Sequence, residues 1–142
     1  MAEKHIFIDT GAYLARFHKR DQHHKESCEI WERIRNSKSV PITTNHVIDE
    51  LATLLARRTS YDFAARKMNE IYDSDLPVIF RPDQKDEREA LSLFKKYADQ
   101  RISFTDCLSF VVMNRLKIRK AFTFDRHFSV AGFEMIFCEI YP

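Results

Sequence analysis

Short apolar runs alternate with amphipathic segments along this chain. Five runs rich in β-branched and aromatic residues predict buried strands over residues 5–8, 40–43, 76–81, 120–124 and 135–140. Between them, apolar residues at helical intervals predict helices that open at residues 9–11, cover 25–36, begin at Thr44 or Asn45, and cover 60–73, 82–97 and 104–116. Strands that alternate with helices favour right-handed crossovers. The predicted fold is therefore α/β, with a mostly parallel five-stranded sheet and helices on both faces.

The length and composition are those of one ordinary globular domain. The chain has 142 residues, of which 44% are hydrophobic and 31% charged, and no shift in composition divides residues 1–142. The longest apolar run, around residues 110–113, is far shorter than the roughly 20 residues that span a bilayer. The N-terminus lacks the pattern of a signal peptide. We therefore expect a single domain in the cytoplasm, without a membrane segment.

The charge of the chain is nearly balanced. A formal net charge of +2 and a pI near 8.4 do not by themselves indicate a nucleic-acid-binding protein. A phosphate-binding surface must then be local, and the basic candidates are Arg57, Arg58, Arg66 and Lys67, and separately Arg115, Lys117, Arg119 and Lys120. Solvated helix faces are the alternative interpretation of both clusters.

The three cysteines give no sign of a disulfide framework or a thiolate zinc site. Cys28, Cys107 and Cys138 are odd in number, widely separated and free of any C-x-x-C pair. They are interpreted as small buried apolar residues.

Four acidic residues stand where predicted elements begin or end. Asp9 directly follows the first strand, and Asp125 directly follows the fourth. Glu50 and Asp106 lie near the N-termini of two predicted helices. Because ligands bind at the carboxyl ends of the strands in an open parallel sheet, we expect all four side chains to converge there.

Each acid also has a purely structural explanation. Asp9 suits the N-cap of a helix, and Asp106 has the position of the acid in a capping box with Ser103. Asp125 suits the start of a turn, and Glu50 suits the positive end of a helix dipole. Only the joint placement of the four acids favours chemistry.

Converging carboxylates require a cation. Two of them about 5 Å apart repel by roughly 3 kcal/mol at an effective dielectric of about 20. Oxygen ligands without a cysteine or histidine cluster favour Mg²⁺ or Mn²⁺, which also bind substrate phosphates. The pattern thus predicts metal-assisted hydrolysis of a phosphodiester. Thr10, Ser103 and Thr105 lie beside the expected ligands and are interpreted either as supports for coordinated water or as helix caps.

The motifs around these acids resemble those of a known family. Segments 7–10 (FIDT), 103–107 (SFTDC) and 123–128 (TFDRHF), together with the helix-borne Glu50, are similar in order and spacing to the acidic motifs of PIN-domain ribonucleases. The similarity is greatest with VapC-like toxins and covers essentially the whole chain.

The resemblance implies a PIN-like three-layer α/β/α fold and an endoribonuclease that depends on Mg²⁺ or Mn²⁺. It implies Asp9, Glu50, Asp106 and Asp125 as metal-binding and catalytic acids, RNA as the substrate, a small antitoxin as partner, and a homodimer. The fourth motif departs from many relatives, because an arginine and a histidine follow Asp125 where those relatives carry a further acid. A site with one ion is compatible with this departure. His127 is interpreted as structural or solvated.

Three other functions stay open at the level of the sequence. A phosphatase with an aspartyl nucleophile has the same fold class, but that chemistry typically uses a second acid two residues after the first, and position 11 is Gly11. An RNA-processing PIN nuclease outside toxin–antitoxin systems would carry the same four acids. A non-catalytic binding module would keep the fold.

Overall fold

The predicted alternation of strands and helices runs through the computed structural model, which describes residues 4–136. The strands are β1 (His5–Ile8), β2 (Val40–Thr44), β3 (Val78–Phe80), β4 (Lys120–Phe122) and β5 (Glu134–Met135). The helices are α1 (Thr10–Phe17), α2 (His24–Arg35), α3 (Asn45–Arg58), α4 (Tyr61–Asp73), α5 (Gln84–Lys96), α6 (Phe104–Arg115) and α7 (His127–Val130). A short 3₁₀ helix covers Ala98–Gln100.

The five strands form one sheet in the order β3-β2-β1-β4-β5, with parallel neighbours. In the central strand β1, His5 pairs with Val40 of β2, and Phe7 pairs with Ala121 of β4. The chain builds one side of the sheet with β2 and β3 and then the other side with β4 and β5. The carboxyl ends of β1 and β4 flank the point where this direction reverses, which is where open α/β sheets bind ligands.

Aromatic packing ties α6 and the segment after β4 to the central strand. Phe7, Phe110 and Phe128 have at most 1% of their surface exposed. The ring of Phe110 meets that of Phe128 edge-on at 5.0 Å between centroids, and Phe7 lies 6.4 Å from Phe128. Aromatic pairs of this kind add about 0.5–1.5 kcal/mol beyond the area that they bury. The packing holds the elements that carry Asp106 and Asp125 against β1.

Helix starts follow the predicted capping residues. The Thr44 hydroxyl accepts the backbone N–H of Val47 at 3.1 Å, and the Ser60 hydroxyl accepts that of Phe63 at 3.1 Å. Each such cap is worth about 1 kcal/mol. The predicted central helix is also confirmed, since residues 106–113 of α6 are all buried.

Four strands differ from the prediction at their ends, although β2 is longer by only one residue, Thr44. β4 stops at Phe122, two residues before the predicted end, and the hydroxyl of the next residue, Thr123, donates to Asp9 at the end of β1. β3 pairs only over Val78–Phe80. β5 already begins at Glu134, and most of the strand predicted over 135–140 lies outside the described residues.

Two short elements escaped the prediction. Helix α7 has four residues and the 3₁₀ helix has three, so neither is long enough to show an apolar period. The 3₁₀ helix ends at Arg101, whose φ of 56° and ψ of 38° lie in the left-handed region.

The cysteine interpretation holds in part. Cys107 is buried as predicted, whereas Cys28 is only partly buried. Cys138 lies outside the described residues.

The helices of the described part are short. The longest, α3, has 14 residues, and no helix within residues 4–136 has the length and apolar character that a bilayer crossing requires.

Candidate active site

Asp9 places a carboxylate in the interior at the end of β1. The residue occupies the N-cap position of α1 and is 4% exposed, yet within residues 4–136 its side chain makes no capping bond to that helix. Its Oδ2 instead accepts the hydroxyl of Thr123 at 2.8 Å. Its Oδ1 is buried and has no hydrogen-bond partner in the described part of the chain. The interpretation of Asp9 as a helix cap is therefore wrong. One oxygen of its carboxylate is held by Thr123, and the other is left without a partner among the described residues.

Thr123 links the ends of β1 and β4. Its fully buried hydroxyl donates to Asp9 and accepts the backbone N–H of Asp125 at 3.0 Å. The turn predicted at Asp125 is confirmed, because Asp125 Oδ1 accepts the backbone N–H of His127 at 2.9 Å. The same oxygen lies 3.0 Å from Nδ1 of the His127 ring. One hydroxyl thus sets the relative position of two of the four acids.

Asp106 and Glu50 reach the same region from helices. Ser103 caps α6 by accepting the backbone N–H of Asp106 at 3.1 Å. Among the described residues the Asp106 carboxylate does not accept the backbone N–H of Ser103 in return, so only half of the capping box is present. Glu50 is the sixth residue of α3 and half-buried, beyond the first turn in which a helix dipole acts strongly.

All four acids line one cleft of about 580 Å³ at the carboxyl ends of β1 and β4. The full lining consists of Asp9, Thr10, Gly11, Leu14, Glu50, Leu54, Arg101, Ser103, Asp106, Phe124, Asp125, Arg126 and His127. Thr10 and Ser103 lie there as expected for supporting hydroxyls. Thr105 is not among the lining residues, and its backbone carbonyl accepts the Ser109 hydroxyl at 3.1 Å. The sequence thus predicted the convergence of the acids and two of three hydroxyls beside them.

Burial and crowding disfavour the ionised form of these acids. Burial raises the pKa of Asp9 to about 7 from an ordinary 3.8, and the charges of Asp125 and Glu50 add to the rise, although a hydrogen bond from Thr123 opposes it. Burial likewise raises the pKa of Asp106 to about 9, with further contributions from Asp9, Asp125 and Glu50. Full ionisation near neutral pH therefore requires a compensating cation.

The donor atoms fit a divalent cation. Asp9 Oδ1 and Thr10 Oγ1 are buried polar atoms without a partner in residues 4–136. Asp106, Asp125 and His127 each offer a ligand atom, and these three atoms lie within 4.8 Å of one another. Carboxylate oxygens are the ligands of Mg²⁺ and Mn²⁺, and an imidazole nitrogen is an additional ligand for transition metals.

Three further residues line the cleft without a role predicted from the sequence: His127, which was interpreted as structural or solvated, and the arginines Arg101 and Arg126. The sequence pattern that could have indicated His127 is Asp-x-His directly after a strand. An aspartate that caps a turn accepts the backbone N–H of the residue two positions later, and this bond brings His127 close to the Asp125 carboxylate. Arg101 and Arg126 are exposed at the cleft. In the predicted basic clusters, by contrast, Arg115 is paired with Asp86 at 2.6 Å, and no member of either cluster is among the lining residues.

A model of the PIN domain matches residues 6–134 of the chain. The chain belongs to the PIN domain family. It is similar to the 23S rRNA-specific endonuclease VapC20 of Mycobacterium tuberculosis H37Rv, with 32% identity over 128 residues, 90% of this chain and 95% of that protein. It is also similar to a VapC ribonuclease of Archaeoglobus fulgidus, with 31% identity over 132 residues, 87% of this chain and 78% of that protein.

The solved structures extend this similarity to the fold of the PIN domain. A crystal structure of Mycobacterium tuberculosis VapC20, described as a sarcin-ricin loop cleaving toxin, matches with a TM-score of 0.84 and 30% identity over 91% of this chain and 96% of that one. The predicted α/β/α fold and the resemblance to VapC-like PIN nucleases are confirmed. The assignment of the four acids as metal ligands of this PIN domain stays a prediction.

We expect the metal-free PIN domain to lose stability as the pH rises, and Asp106→Asn to reduce this loss. The folded-state pKa values of Asp9 and Asp106 exceed the ordinary 3.8. The protonated carboxyl groups therefore stabilise the fold at low pH. This stability is lost as the pH rises through about 7 for Asp9 and about 9 for Asp106. The asparagine keeps the shape without the charge. Its unfolding midpoint near pH 9 is expected to exceed that of the wild type by about 2–4 °C per kcal/mol of repulsion relieved.

The measurement is thermal unfolding in EDTA at about pH 6 and about pH 9. Asp49→Asn is the matched control, because Asp49 is an exposed acid next to Glu50 on α3. If Asp106→Asn instead unfolds below the wild type at the higher pH, the carboxylate stabilises the metal-free fold and the repulsion argument is wrong.

Proposed function

We propose that this PIN domain is an endoribonuclease that depends on Mg²⁺ or Mn²⁺ and hydrolyses RNA phosphodiester bonds. The observation that carries the proposal is the convergence of four carboxylates, two with raised pKa, on one cleft at the switch point of the sheet. Such a group is stable in its ionised form only beside a cation. Ions of this kind keep open positions for substrate phosphates.

Two of the four proposed ligands, Asp9 and Asp106, have neighbours that fix their position. Thr123 holds Asp9 through Oδ2, which leaves the buried Oδ1 as the oxygen for the ion. Ser103 fixes the first turn of α6 and with it the start of the Asp106 side chain. A bound divalent ion supplies an acidified water and stabilises charge on the phosphate. The side chains of the cleft then only have to hold the ion and orient the substrate, and none of them has to serve as the nucleophile.

The alternatives from other classes receive less support. An aspartyl phosphatase uses its first acid as nucleophile, whereas Asp9 is held by Thr123 and the acid expected two residues later is replaced by Gly11. A non-catalytic binding module has no use for acids whose ionisation is this unfavourable. Membership in the PIN domain family agrees with a nuclease.

The substrate and partners are proposed from the relatives. VapC20 carries the name of a 23S rRNA-specific endonuclease, and the Archaeoglobus relative that of a VapC ribonuclease. We therefore propose RNA as the substrate of this chain. Because the solved VapC20 structure is described as that of a toxin, we also propose that this chain is a toxin that pairs with a small antitoxin protein. A homodimer and a place in the cytoplasm are proposed from the family resemblance alone. An RNA-processing role without toxicity is the alternative, and growth arrest on expression distinguishes the two.

We expect the purified protein to cut total cellular RNA into discrete fragments with Mg²⁺ or Mn²⁺, and a chelator to abolish cleavage. Asp9→Asn removes a ligand charge while keeping the shape of the side chain, so the rate is expected to fall at least about a hundredfold. Asp49→Asn is expected to cleave like the wild type. The fragments are mapped by end sequencing.

Contaminating nuclease is excluded if the same preparation of Asp9→Asn is inactive and folded by circular dichroism. Cleavage that persists in chelator, or an Asp9→Asn rate equal to that of the wild type, would sink the proposed mechanism.

Arg101 has the position of a contact to substrate phosphate. It is exposed in the lining of the cleft, and it forms no ion pair among the described residues. Its left-handed backbone, with φ of 56°, costs a non-glycine residue about 1–2 kcal/mol. Strain of this kind concentrates at functional sites. We infer that Arg101 and Arg126 neutralise phosphates of an RNA bound in the cleft.

We expect Arg101→Asn to raise KM for RNA with a smaller change in kcat. Asparagine tolerates the left-handed region, so the backbone is kept while the charge is lost. Losing one phosphate contact is expected to flatten the slope of log(kcat/KM) against log[salt] by about 0.7–0.9. The substrate is an oligonucleotide that spans the mapped cleavage site.

Lys117→Asn is the matched control, because Lys117 is also exposed with a φ of 59° but does not line the cleft. Equal effects of the two substitutions would show that total charge, and not the place of Arg101, governs binding.

A further inference from the structure

His127 lies among the acids of the cleft and not merely beside them. One of its ring nitrogens, one oxygen of Asp106 and one oxygen of Asp125 are all within 4.8 Å of one another. Ligands on opposite sides of an octahedral ion with bonds of about 2.1 Å are about 4.2 Å apart. A small inward movement of these side chains therefore suffices for all three atoms to bind one ion.

The ring of His127 is also held in place. Its Nδ1 is 3.0 Å from Asp125 Oδ1, and its backbone N–H donates to the same oxygen at 2.9 Å. The side chain is about one-third exposed, so it faces the cleft and is not locked in the core. The following residue, Phe128, is fully buried and anchors the start of α7. Backbone and ring are thus both fixed before any ion arrives.

We propose that His127 is a nitrogen ligand of the divalent ion, which it shares with Asp106 and Asp125, and that this nitrogen makes the centre prefer Mn²⁺ to Mg²⁺. The inference rests on the proposed metal-dependent function. Mg²⁺ favours oxygen ligands and ideal octahedral geometry, whereas imidazole suits transition metals. A centre with only carboxylates would discriminate less between the two ions.

The test reads metal binding without RNA. Full-length protein without a histidine tag is loaded with Mn²⁺, and pulsed electron paramagnetic resonance reports whether a ¹⁴N nucleus is coupled to the ion. The wild type is expected to show the coupling and His127→Asn to lose it. Affinities for Mn²⁺ and Mg²⁺ are measured by calorimetry. His127→Asn is expected to lower Mn²⁺ affinity at least about tenfold and to change Mg²⁺ affinity by less than about threefold.

Two further variants make the result specific. His18→Asn is the matched control, because His18 lies at the far end of α1 from the acids and outside the cleft lining. His127→Asp replaces the nitrogen by oxygen and is expected to shift the preference towards Mg²⁺. This variant and the wild-type spectrum decide the question even if His127→Asn does not fold, which circular dichroism shows.

The absence of nitrogen coupling in the wild type, or equal losses of Mn²⁺ and Mg²⁺ affinity in His127→Asn, would overturn the inference. In the second case His127 only orients Asp125. Either result leaves the ribonuclease proposal intact if Asp9→Asn still abolishes cleavage. Conversely, RNA that stays uncut by a protein with the expected nitrogen signal refutes the ribonuclease and leaves the nitrogen ligand standing.

Discussion

The burial of carboxylates next to one another is the constraint on which the rest of this structure depends. Asp9 and Asp106 are almost fully removed from water, and burial, together with the charges of neighbouring acids, raises the pKa of each. An arrangement that unfavourable persists only because the surrounding sheet and helices hold the acids in place. A cation that binds the folded state alone returns part of that free energy as stability.

The pairing of β1 with β4 brings Asp9 and Asp125 together. These strands are distant in sequence, yet they lie side by side, and the hydroxyl of Thr123 joins Asp9 to the backbone of Asp125 across their ends. The aromatic contacts of Phe110 and Phe128 press α6 and α7 towards the same edge. The positions of the acids are therefore set mainly by the packing of the core and by the strand pairing. Few hydrogen bonds within the cleft are needed to hold them.

Local signals in the sequence were enough for every described element except α7 and the 3₁₀ helix, and for the place of the four acids at one edge of the sheet. Thr44 and Ser60 cap the helices that they were expected to cap, and Asp9 and Asp125 follow strands that form. Contacts between residues that are distant in sequence but close in space had no local signal. Thr123 acts on a residue 114 positions away. The left-handed backbone of Arg101 follows a 3₁₀ helix that is too short to show a period.

The charge of the cleft explains how a nearly neutral chain can bind a polyanion. Four acids and two arginines line the cleft, so an ionised cleft without metal is net negative and repels RNA. A divalent ion, as proposed for this site, would cancel the excess and leave Arg101 and Arg126 to pair with phosphates. On the proposed function, the ion removes the repulsion that opposes RNA, and the RNA phosphates add negative charge that attracts the ion. Their affinities are then coupled, and by linkage each strengthens the other equally. The proposed recognition therefore depends on local charge at the switch point, and the net charge of +2 does not argue against it.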